Sequence, residues 1–128
     1  MSDPDFPEAL RAFIREMIPS VDAAELLVLL ASNRDRAYTV DEAVQAMHPT
    51  AVTAPAARRY LLHFQAQGVV VAHEGAAYQY APGSDELDAA VAALTRVFNE
   101  RPVTLVRLIY APKDEKIRSF ADAFRLKK

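Results

Sequence analysis

From Thr53 to Pro82 the chain reads TAPAARRYLLHFQAQGVVVAHEGAAYQYAP, and this stretch constrains the fold more than any other. Thr53 offers a helix cap, Pro55 fits a first turn, and Gly68 supplies a left-handed stop. Between them Ala57, Leu61 and Phe64 fall on one helical line, the face that must turn inward. Two β-prone runs, 69–72 and 77–80, then flank His73-Glu74-Gly75-Ala76, which predicts a hairpin ended by Pro82-Gly83. A capped helix that hands over through one glycine to a hairpin fixes how both elements enter the core.

The residues before this stretch predict three more helices. Phe6, Leu10, Phe13, Ile14, Met17 and Ile18 lie on one face of a helix ended by Pro19 and Ser20. Asp22, with Glu25 three residues on, reads as the capped start of the next. Its run Glu25-Leu-Leu-Val-Leu-Leu-Ala31 is apolar on all sides, so that helix must be covered all round and therefore central. It stops near Asn33, and Ala37-Tyr38-Thr39 fits a short edge strand. Thr39 and Glu42 form a capping box for a short helix through Met47, broken by His48-Pro49-Thr50.

Downstream, Ser84 or Asp85 caps a helix with the apolar stripe Leu87, Val91, Leu94 and Phe98. Pro102 interrupts it. Residues 103–110 have the β-branched content of a strand and the Leu105, Leu108, Ile109 spacing of a helix; they are read as a helix because no strand partner remains. After Pro112, the spacing of Ile117, Phe120, Ala121 and Phe124 predicts a last amphipathic helix.

The order helix, short strand, helix, helix, hairpin over 22–82 resembles the winged helix-turn-helix domain of bacterial transcription regulators. Thr39-x-x-Glu42, Ala57, Leu61, Phe64, Gly68-Val-Val70 and the hairpin to Tyr80 carry the resemblance. The flanking helices, 4–19 and 84–128, look like the dimerisation layer of MarR-type regulators, although the hairpin lacks the Asp-x-Arg of the MarR wing. The fold class expected is thus mainly α with a small β-hairpin wing, a winged helix-turn-helix with extra N- and C-terminal helices in a single domain, 1–128. A homodimer on double-stranded DNA is what the resemblance implies.

In such a domain the start of helix 54–67 enters the major groove, which singles out Thr53, Ala56, Arg58 and Arg59. Arg59 suits two hydrogen bonds to guanine, while Arg58 or Thr53 suits phosphate. A helical wheel also puts His63 on the outward side, and His73 stands at the wing tip. Two features point elsewhere. Leu62 and Ala66 make part of the outer face apolar, and the wing tip carries an acid, Glu74, rather than a base. An alternative is a protein-interaction module that uses Leu62, Ala66 and the basic C-terminal residues Lys113, Lys116, Arg118 and Arg125. A third is an effector-sensing regulator with a pocket between helix 26–30 and the terminal helices.

Charge bears on that choice. The net charge of −2 argues against indiscriminate coating of nucleic acid, yet residues 101–128 hold eight bases and three acids. Such a segment fits a polyanionic or acidic partner. The chain has no cysteine, which excludes disulfides, thiolate metal sites and thiol redox chemistry. No apolar run approaches the roughly 18 residues of a membrane span, and the first residues are acidic where a secretory signal is basic. A cytoplasmic protein without membrane contact is expected. The three glycines are scattered, the three histidines lie on different elements, and no serine has a neighbouring base. No cofactor, metal or catalytic role is therefore expected.

Overall fold

A computed structural model describes residues 8–110. The order is α1 (Glu8–Met17), α2 (Val21–Ser32), β1 (Ala37–Thr39), α3 (Val40–Met47), α4 (Ala54–Ala66), β2 (Val70–His73), β3 (Ala77–Tyr80) and α5 (Asp85–Glu100), followed by a helix over 102–110, here α6. The architecture is mainly helical with a small antiparallel sheet, a winged-helix arrangement with flanking helices.

α2 is the hub. Leu26, Leu27 and Leu30 are fully buried, and the helix packs against α3, α4, α5 and β3. A helix without a polar face is stable only when surrounded, so the sequence of α2 sets the layering. Its cap differs from expectation: the N-cap is Ser20, whose Oγ accepts from the Ala23 amide at 3.1 Å, and Asp22 sits inside the first turn. Glu25 serves elsewhere. Its carboxylate accepts from the Thr50 hydroxyl at 2.9 and 3.0 Å and ties the α3–α4 connection to the hub.

α3 has the full capping box, with Glu42 Oε1 accepting from the Thr39 amide and Thr39 Oγ1 from the Glu42 amide. α4 ends in a Schellman turn. The Gly68 amide donates to the Gln65 carbonyl and the Val69 amide to the Phe64 carbonyl, with Gly68 at φ +83°. Phe64 and Val69 are both fully buried, which supplies the apolar contact that usually accompanies this turn.

The sheet order is β1-β3-β2, so β1 is an edge strand. Val70 pairs with Tyr80 and His73 with Ala77, which shifts β2 one residue on from the expected 69–72 and leaves Glu74-Gly75-Ala76 as the turn. Gly75 and Ala76 both have positive φ, +79° and +58°. In the C-terminal layer Val91 and Leu94 of α5 and Leu105 and Ile109 of α6 are buried, which resolves 103–110 as helix. The last amphipathic helix expected after Pro112 lies outside the described residues.

Candidate nucleic-acid interface

α4 starts at Thr53, whose Oγ1 accepts from the Ala56 amide at 3.2 Å. Ala57, Leu61 and Phe64 are fully buried, so the inward line is the one the spacing predicts. The exposed side holds Pro55, Arg58, Arg59, Leu62, Gln65 and Ala66. At roughly 100° per residue Leu62 lies near the middle of this face, with Arg58 and Arg59 on either side. Thr53 is exposed at the open end of the helix.

Two wheel assignments need correction. His63, expected to face outward, is half-buried, and its Nε2 lies 3.0 Å from the Met17 carbonyl. A carbonyl only accepts, so Nε2 carries the proton and donates across to the end of α1. One turn earlier, Tyr60 accepts from the Ser20 hydroxyl at 3.0 Å. These two bonds clamp one flank of α4 onto the α1–α2 junction and rotate the open face toward Arg58. Ala56, also expected outward, is partly buried against the core.

Arg58 and Arg59 remain. Both are exposed, and among the described residues neither makes a hydrogen bond or an ion pair. Before β1, Arg36 stacks its guanidinium 4.5 Å from the centre of the Tyr38 ring. It borders an open depression of about 390 Å³ with Asp41, Glu42, Gln45 and Ala46, on the outer side of α3. Asp41 and Glu42 oppose a phosphate there, so α3 contributes little attraction for a polyanion.

The wing is neutral to acidic at its tip. His73 donates from Nε2 to Gln79 Oε1 at 2.8 Å, while Gln79 Nε2 donates to the Arg34 carbonyl at 2.7 Å. His73 is therefore exposed but engaged along the sheet. Of the candidate partner-binding residues, Leu62 is 48% exposed and Ala66 is exposed, while Lys113, Lys116, Arg118 and Arg125 lie outside the described residues.

Sequence spacing alone did not reveal a second polar cluster. Arg34 donates to Asp88 Oδ1 at 2.6 Å, Tyr80 donates to the same oxygen at 2.8 Å, and Arg34 sits 5.0 Å from the Tyr80 ring centre. The Tyr80 hydrogen bond, then that of Arg34, holds the Asp88 carboxyl below its usual range. Burial, reinforced by the Asp88 hydrogen bond, pushes the Tyr80 phenol well above its ordinary value, so it stays a neutral donor. Arg34 and Asp88 are 54 residues apart, and only the Arg–Asp charge complementarity hinted at the pair. The cluster edges an open depression of about 230 Å³ lined by Ala31, Ser32, Val91, Ala92 and Thr95 as well. This depression lies between the C-terminal end of α2 and α5.

Among the described residues no helix is long and apolar enough to cross a membrane, and no group of histidines and carboxylates could hold a metal ion. No family model, curated protein or solved structure matches the chain.

Proposed function

We propose that the chain is a DNA-binding transcriptional regulator that works as a homodimer, with α4 in the major groove. One observation carries this reading: two exposed arginines, Arg58 and Arg59, without partners among the described residues, stand on the open face of a helix whose other sides are anchored. The cap at Thr53 and the unpaired amides of the first turn favour a phosphate beside them. Arg59 takes the base-reading role, donating twice to guanine, and Arg58 the backbone role. Leu62, between them, meets a thymine methyl as readily as a protein side chain. Few phosphates are neutralised per chain, so useful affinity calls for two copies.

Selection from random duplex DNA tests the reading. It should enrich a palindrome with half-sites about one helical turn apart. Arg59→Ala should weaken that site by about 1–3 kcal/mol and relax the preference at a single base pair in each half. Failure to enrich any sequence at low ionic strength would overturn the proposal.

A second reading rests on Leu62, which is half-exposed at the centre of the same face. Under it α4 docks on a protein of the transcription machinery. Leu62→Ser would then abolish retention of a co-purifying protein, whereas under the DNA reading Arg58→Ala and Arg59→Ala are the damaging changes.

A further inference from the structure

Beside the C-terminal end of α2, the opposite charges of Arg34 and Asp88 border the depression of about 230 Å³ that reaches α5. Both side chains are held in place from the side. The Arg34 carbonyl accepts from Gln79 Nε2 at 2.7 Å, and the Arg34 guanidinium lies 5.0 Å from the centre of the Tyr80 ring. Asp88 Oδ1 accepts from Tyr80 at 2.8 Å and from Arg34 at 2.6 Å. The two side chains are still 56% and 39% exposed, so their ion pair contributes little by itself.

Their bonding capacity is not used up. A guanidinium offers donors on three nitrogens, and a carboxylate accepts on two oxygens. Here the pair is joined through Arg34 Nη2 and Asp88 Oδ1 alone, and among the described residues Arg34 Nε and Nη1 and Asp88 Oδ2 make no hydrogen bond. The other end of the depression is different. Two turns along α5 from Asp88, Thr95 gives its hydroxyl proton to the Val91 carbonyl at 2.9 Å, so it asks for no polar partner. With Ala31, Val91 and Ala92 it makes that end suited to an apolar group. Paired charges thus stand at one end and apolar surface at the other.

A lone anion placed here meets the Asp88 carboxylate, and a lone cation meets the Arg34 guanidinium. A ligand that carries both charges satisfies both side chains and leaves neither charge unpaired. We propose that this depression binds a small free α-amino acid with an apolar side chain. Its carboxylate lies on Arg34, its ammonium on Asp88 Oδ2, and its side chain along Val91 and Ala92. Arg34 and Asp88 touch each other, which matches an ammonium and a carboxylate borne by one carbon atom rather than by the two ends of a longer chain. Size agrees: drug-sized ligands fill roughly 300–1,000 Å³, and the space here is smaller. Because both charges are already positioned, little ordering is needed on binding. The site belongs to the end of α2, β3 and α5, and it stands apart from the open face of α4.

Titration of the full chain with L-valine, followed by its amide NMR shifts, tests the proposal. Saturable binding with a Kd of about 1 mM or tighter is expected. Isobutylamine lacks the carboxylate of valine and isovalerate lacks its ammonium. Each forfeits one charge-assisted contact and should bind at least about tenfold more weakly. Arg34→Gln and Asp88→Asn should weaken L-valine by a similar factor. Ala92 is exposed on α5, so Ala92→Phe fills the depression while leaving the core and both charges in place, and it should abolish binding. Absence of binding by L-alanine, L-valine and L-leucine at about tenfold that concentration would overturn the proposal. Equal affinity for L-valine and either singly charged analogue, or native affinity in Ala92→Phe, would overturn it as well.

Discussion

Gly68 and Ala76 both hold left-handed backbone, at φ +83° and +58°, and their chemistry sets opposite expectations. A Cβ on Gly68 would meet nothing within 4 Å, so the cost of Gly68→Ala is conformational rather than steric. It should destabilise the chain by about 1–2 kcal/mol in a denaturant titration. Ala76 already bears that strain, and Ala76→Gly should stabilise by up to about 1 kcal/mol. An unchanged or lower midpoint for Ala76→Gly would show that the turn does not hold this conformation in solution. At this scale Gly68 was legible because a left-handed helix stop strongly favours glycine. Ala76 was hidden, since alanine carries no mark of positive φ.

Among the elements, the caps and breaks are local and so could be read directly. Thr39 with Glu42 and Thr53 sit where the sequence puts them, of Ser84 and Asp85 it is Ser84 that caps α5, and Thr53→Ala should cost about 1 kcal/mol, measured as a loss of midpoint. Ser20 is hidden in the sequence because it follows Pro19 at the end of α1, while Asp22 and Glu25 offer a competing box. The side on which α4 is gripped also escaped: the bonds of His63 to Met17 and Tyr60 to Ser20 join residues 46 and 40 apart, and a wheel contains no such partner. The same holds for Asp88, which links the Arg34 loop, β3 and α5. Its carboxyl is depressed in the folded chain relative to the ordinary 3.8, so its stabilisation is complete above about pH 4. That stabilisation is lost as the pH falls through the depressed value. The melting temperature of the native chain should therefore fall more steeply below pH 4 than that of Asp88→Asn. Parallel curves would remove the link from the acid response.

Considered as a whole, the molecule is a winged-helix body on an apolar hub with an uneven charge distribution. The fold was legible because it depends on apolar periodicity, capping and one glycine. The interface was legible only in part. Arg58 and Arg59 could be named, but their freedom from ion pairs depends on which acids the fold brings near, and Asp41, Glu42 and Glu74 could be weighed only once placed. Under the proposed function these two arginines meet DNA phosphate and base. The salt dependence of duplex binding reads that contact, comparing the native chain with Arg58→Ala/Arg59→Ala by fluorescence anisotropy. Each lost phosphate contact should reduce the slope of log K against log salt by about 0.9. The double variant should bind more weakly and with a shallower slope. Native-like affinity and slope in that variant would contradict the proposal.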